Sequence, residues 1–83
     1  MYQTRELRHY KGFVIEADPQ KDAETGEWGT YIVIRRDRPT GPKIRPFEDG
    51  QTFPTRIIAV RHCFDFGIAI IDGNLDGLSV DDL

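Results

Sequence analysis

Three stretches of this chain carry residue types able to do chemistry. Asp72-Gly73-Asn74-Leu75-Asp76-Gly77 matches the opening of a calcium loop, where oxygen ligands alternate and a glycine makes the turn. Such a loop must close on a bidentate glutamate, and that place falls on Leu83, with Ser79 where an apolar residue is expected and no exiting helix pattern. The plainer reading is a glycine C-cap followed by an acidic tail, with no metal and no cofactor. His62-Cys63 pairs a base with a thiol, but adjacent helical residues point about 100° apart and do not converge on a metal. Cys63 falls within an apolar stripe, where a thiol behaves as a small hydrophobe rather than a nucleophile. The third stretch is the basic cluster Arg35, Arg36, Arg38, Lys43 and Arg45, whose guanidinium groups suit bidentate phosphate contact. Asp37, Glu48 and Asp49 dilute it, and a charged sheet edge that discourages edge-to-edge pairing is the ordinary explanation.

No paired acid and base, no phosphate-cradling glycine loop and no metal-ligand cluster stands at meaningful spacing, so an enzyme is not expected. The chain has 83 residues and a net charge of −3, which points to one domain with no global attraction to nucleic acid or anionic membrane. A single cysteine rules out an internal disulfide and a structural zinc site, and fits a reducing compartment. Residues 1–9 are polar and lack the apolar core of a signal peptide, and the longest apolar run, from Gly67 to Ile71, is too short to span a bilayer. The expected location is the cytoplasm.

The elements that position these groups are strands followed by one helix. Residues 1–9 read as a loose arm. Tyr10 to Ala17 reads as a strand, with Phe13 and Ile15 on one face and Tyr10, Gly12 and Val14 on the other. Asp18-Pro19 ends it, and Thr25-Gly26 supplies turn chemistry. Trp28 to Arg36 is rich in aromatic and β-branched residues, placing Trp28, Thr30, Ile32 and Ile34 opposite Tyr31, Val33 and Arg35. Ile44 to Glu48 is a short third strand, confined to a sheet edge because Pro46 cannot donate to a ladder.

Residues 54–72 read as a helix, with Thr55 as candidate N-cap, Thr52 ahead of Phe53-Pro54 as the alternative, and Gly73 as the C′ residue. Ala59, Cys63, Phe66 and Ile70 stack along one stripe, which Ile57, Val60, Phe64 and Ile71 widen. The expected architecture is α+β: a three-stranded antiparallel sheet packed against one C-terminal helix over residues 10–73, then an acidic tail over 74–83. The expected core is Phe13, Ile15, Trp28, Ile32, Ile34, Phe53, Ala59, Cys63, Phe66 and Ile70.

Tyr10-Lys11-Gly12-Phe13-Val14-Ile15, the alternation after Trp28, and Phe53-x-Thr55 opening a helix that ends Gly67-x-x-Ile70-Ile71-Asp72-Gly73 resemble small bacterial β-β-β-α proteins grouped as a domain of unknown function. The resemblance covers roughly residues 10–73 and implies a fold without an active site. Ile57 and Ile58 depart from its pattern, in which acidic residues follow the threonine, so no capping box forms from Thr55.

The apolar arc of the helix is wider than one side of a three-stranded sheet covers. Either the tail, through Leu75, Leu78, Val80 and Leu83, folds over it, or a second chain does. The outward sheet residues Tyr10, Val14, Tyr31 and Val33, with Ile57 and Ile58, are the candidate partner surface. The expected function is a non-enzymatic protein-interaction or self-associating module, with a weak homodimer or a protein partner. Nucleic-acid binding through the basic edge around residues 35–45 is the alternative.

Overall fold

Lys11 and Gly12 decide how the first part of the chain runs. The structure, a computed structural model, describes residues 6–83. Both turn residues have positive φ, 49° and 84°, the mark of a two-residue type I′ hairpin whose twist matches its flanking strands. The segment expected as one strand from Tyr10 is therefore the turn and second arm of a hairpin. Its strands are β1 (Glu6–Tyr10) and β2 (Phe13–Ala17), paired antiparallel from Tyr10 opposite Phe13 to Glu6 opposite Ala17. Glu6 to His9, expected in a loose arm, are thus sheet residues; residues 1–5 of that arm lie outside the described residues. Because opposed residues share a face, Tyr10 sits on the side of Phe13, not of Val14.

Each of the three expected strand segments contains strand, but the one from Trp28 is divided at a bend and further short strands are added. After β2 come β3 (Gln20–Lys21), β4 (Trp28–Gly29), β5 (Ile32–Arg36), β6 (Lys43–Phe47) and β7 (Thr52–Phe53). They form two antiparallel sheets, β1-β2-β5-β6 and β3-β4-β7. The α+β class with antiparallel strands and one helix holds, whereas the single three-stranded sheet is replaced by four strands and three. The break has a local cause. Pro19 has no N–H to continue a ladder. Single bonds from Asp18 N to Tyr31 O (3.0 Å) and from Thr30 N to Gln51 O (3.1 Å) carry the pairing around the corner. Thr30 is buried there, its hydroxyl 3.4 Å from the same Gln51 carbonyl. Trp28 and Phe53, opposed in the small sheet, are half-buried rather than central to the core. β6 lies at an edge, where Pro46 is tolerated.

The helix α1 spans Arg56–Ile71. Thr55 caps it, its hydroxyl accepting the Ile58 N–H at 3.3 Å. At the other end Gly73 (φ 74°) donates to Ile70 O at 3.1 Å and Asn74 to Ala69 O at 2.9 Å, the two bonds of a Schellman motif. The helix packs on the four-stranded sheet across β1, β2 and β5 and also meets β4 and β7. Its tightest approach is at Gly67, where an added Cβ would stand 2.8 Å from Ile15 Cγ2.

Phe13, Ile15, Ala17, Ile32, Ile34 and Phe47 from the strands meet Val60, Cys63, Phe64, Phe66 and Ile70 from the helix. Val80 and Leu83 of the tail are buried in the same cluster, and Leu75 and Leu78 pack against it. The cover over the wide arc therefore includes the chain's own tail.

Two substitutions test this packing. Gly67→Ala gains helix propensity worth about 1 kcal/mol, but drives a methyl into the fully buried, β-branched Ile15 at a cost of about 1–3 kcal/mol. The expected net effect is a lower melting temperature in thermal denaturation. A stabilised variant would place the helix farther from β2 than described. Phe66→Ala should cost about 3–5 kcal/mol in denaturant titration, and a near-neutral result would remove Phe66 from the core.

Candidate functional site

Strand alternation distributes the expected partner residues over different surfaces. Val14 and Val33 do lie on the sheet face away from the helix, but Val14 is buried and Val33 half-buried. Tyr10 is on the helix side. Its hydroxyl donates to Asp72 (Oδ2 2.8 Å, Oδ1 3.0 Å), and Lys11 Nζ lies 2.7 Å from Asp72 Oδ1. Tyr31 sits at the bend, half-buried, its carbonyl accepting the Asp18 N–H and the Cys63 thiol at 3.6 Å. Ile57 and Ile58 remain exposed on the first helical turn, Ile57 by 73%.

The face away from the helix gains residues that sequence reasoning did not place there. The register aligns Leu7, Glu16, Val33 and Pro46 in one row, and His9, Val14, Arg35 and Ile44 in the next. Leu7 is 52% and Ile44 58% exposed, on opposite edge strands. Arg35 lies between, 3.9 Å from Glu16 and 3.3 Å from Asp37. The signal that would have found Leu7 is the Lys11-Gly12 turn, which converts the arm into a strand.

The same alternation divides the basic cluster. Arg35 is on the outer face, Arg36, Lys43 and Arg45 are on the inner face, and Arg38 is in the connecting loop. The four other than Arg35 meet the tail. Arg36 Nη1 donates to Leu83 O at 3.3 Å, and Arg38 Nη2 donates to the same oxygen. Lys43 Nζ is 3.5 Å from Asp82 O, and Arg45 pairs with the Asp82 carboxylate. Arg45 holds that carboxyl below its ordinary range.

The second feature absent from the sequence reading is a pair between His62 and Asp49, Nε2 to Oδ2 at 2.6 Å, with both side chains largely covered. The imidazole lies between Phe53 and Phe66, with ring centroids 4.7 Å and 6.2 Å away. A cleft of about 390 Å³ opens beside it, walled by Phe66, Ala69, Leu75 and Leu78. An aspartate that orients a histidine is half of an acid–base relay, but this pair also staples the loop before β7 to the helix. No serine, threonine or cysteine side chain among the described residues hydrogen-bonds the imidazole.

Burial pushes the Asp49 carboxyl up, but the hydrogen bonds from His62 and from the Gln51 N–H (3.0 Å) outweigh it, and the net shift is downward. Burial pushes the Cys63 thiol up, opposite to what a thiolate nucleophile needs. The first oxygen of the calcium-like motif, Asp72, is taken up by Lys11 and Tyr10, which hold its carboxyl below the ordinary range. Among the described residues no three His, Cys, Asp or Glu side chains converge as a metal site.

Comparisons with protein-family models, curated proteins and solved structures return no match.

The lowered Asp49 carboxyl gives a pH prediction. Its contribution to stability is present above the unfolded-state value near about 3.9 and is lost as pH falls through the lower folded value. The melting temperature of the wild type should therefore drop steeply below about pH 4. Asp49→Asn should start lower at pH 6 and lose less on acidification, with Asp72 and Asp82 supplying the remaining slope. Parallel melting curves for the two proteins between pH 6 and pH 3 would assign the acid sensitivity elsewhere.

Proposed function

We propose that this protein is a non-enzymatic interaction module that self-associates through the uncovered face of its four-stranded sheet. The observation that carries this reading is the asymmetry of the sheet. One face is closed by the helix and the tail, while the other presents Leu7, Val33, Ile44 and Pro46 with no second layer among the described residues. A sheet normally buries one face and keeps the other polar. Here only the Glu16–Arg35 pair and His9 interrupt the apolar rows, and Leu7 and Ile44 are each more than half exposed. An isologous contact between two such faces would cover both leucines and both isoleucines at once. Ile57 and Ile58 form a second exposed patch in the helical layer.

The non-enzymatic reading is supported by how the His62–Asp49 pair is held: His62 lies against the Phe53 and Phe66 rings and is tied to Asp49, as a structural staple. A cytoplasmic setting accords with the single free thiol. Among the described residues no helix is long and apolar enough to cross a membrane. The alternative of nucleic-acid binding draws less support from the geometry, because Arg36, Arg38, Lys43 and Arg45 are engaged by the tail.

Sedimentation velocity over a concentration series tests the proposal. The wild type should move toward dimer as concentration rises, and Leu7→Glu with Ile44→Glu should remain monomeric without loss of melting temperature. If Ile57→Lys with Ile58→Lys abolishes the dimer instead, the helical patch is the contact. A wild type that stays monomeric at millimolar concentration would overturn self-association.

A further inference from the structure

The last four residues described are held as a bound peptide is held. Val80 and Leu83 are joined by a turn, with Leu83 N donating to Val80 O at 3.0 Å, and both side chains are buried in the core cluster. Asp81 and Asp82 lie between these anchors and remain exposed. Around them stand cations from β5, β6 and the loop that joins them. Arg36 and Arg38 converge on the Leu83 carbonyl, Arg45 takes the Asp82 carboxylate and Lys43 approaches the Asp82 carbonyl. Arg36 is also set over the Phe13 ring, 5.3 Å from its centroid, which fixes its position beside the anchors.

We propose that the inner edge of β5 and β6 is a recognition site for a short acidic peptide with apolar anchors three residues apart, and that residues 80–83 are its ligand in cis. A segment serving only to cover the core would need Val80 and Leu83 and nothing more. Of the four cations only Arg36, over the Phe13 ring, lies against an apolar group of the core. Lys43 and Arg45 read the carbonyl and carboxylate of Asp82, which lies between the two anchors, and Arg36 and Arg38 read the main-chain oxygen that follows the second anchor. An exposed ion pair such as Arg45–Asp82 contributes little to stability but discriminates by sign and position. Gly77, with φ 78°, turns the chain ahead of the anchored segment, and the bonds of the helix cap at Gly73 and Asn74 involve no residue beyond it, so residues 80–83 share no hydrogen bond with the cap. Tethering by so short a link gives the cis ligand an effective concentration of roughly millimolar, which masks the site from weak partners and yields to a tighter one. The outer sheet face takes no part, so this site stands independently of self-association.

The experiment uses the full chain and a fluorescein-labelled peptide with the sequence of residues 78–83, read by fluorescence anisotropy. Val80→Ser with Leu83→Ser releases the cis ligand, and the variant should bind the peptide at least about tenfold more tightly than the wild type does. Adding Arg36→Glu and Arg45→Glu should reverse that gain, and the binding should weaken with salt. Leu7→Glu should leave it unchanged. If the doubly substituted tail lowers the melting temperature below the assay temperature, Asp82→Lys, an exposed position, replaces it and should show the same direction of change. Equal affinity of released and wild-type chains would overturn the proposal. So would equal binding of a scrambled hexapeptide, or tighter binding of a thymidine oligonucleotide. The oligonucleotide result would assign the cations to nucleic acid instead.

Discussion

At Gly67 the helix lies so close to β2 that no side chain fits between them. This approach sets the position of everything attached to the helix. With Gly67 seated on Ile15, Cys63 comes to rest near the Tyr31 carbonyl at the bend, and Asp72 at the helix end reaches the hairpin turn through Tyr10 and Lys11. His62 is brought within 2.6 Å of Asp49 in the loop ahead of β7. Three polar ties in three directions thus follow from one close apolar contact. A bulkier residue at position 67 would strain all of them together.

The bend in the meander is the second constraint. A flat three-stranded sheet would give the helix one surface, but the bent one gives it two. The helix therefore meets β1, β2 and β5 of the larger sheet and β4 and β7 of the smaller one. Its main packing is on those strands, and the tail meets β6 through Asp82, its Val80 and Leu83 buried in the same core cluster as the helix residues. The Arg45–Asp82 ion pair along this seam is largely solvated and contributes little to stability. Stability resides in the apolar layer, and the charges fix which segment may complete it.

Features set by neighbours in sequence were readable from the sequence. Thr55 and Gly73 were found as caps because a cap depends on the residues within one turn of it. Pro46 located an edge strand because it lacks a donor. Features set by backbone handedness were not readable. Lys11 takes a conformation usual for glycine, and the alternation Tyr10, Val14 runs through the turn unbroken, so a hairpin looked like a single strand. Trp28 to Arg36 likewise alternates without interruption across the bend, which is recorded only in bonds to Asp18 and Gln51. The basic residues were identified, but their division between faces depended on register. Their partners lay about 40 residues away in sequence. Asp49 and His62 are 13 residues apart, beyond what spacing alone connects.

Cys63 is the only cysteine of the chain, and its side chain is wholly enclosed between helix and sheet. A thiol reagent therefore meets it only when the helix lifts from the sheet. The fastest such opening sets the rate of modification once reagent is in excess. The molecule thus contains a built-in clock for the separation of its two layers. Because the tail and the helix close the same core, release of residues 78–83 should speed that clock only if the two move as one cooperative unit.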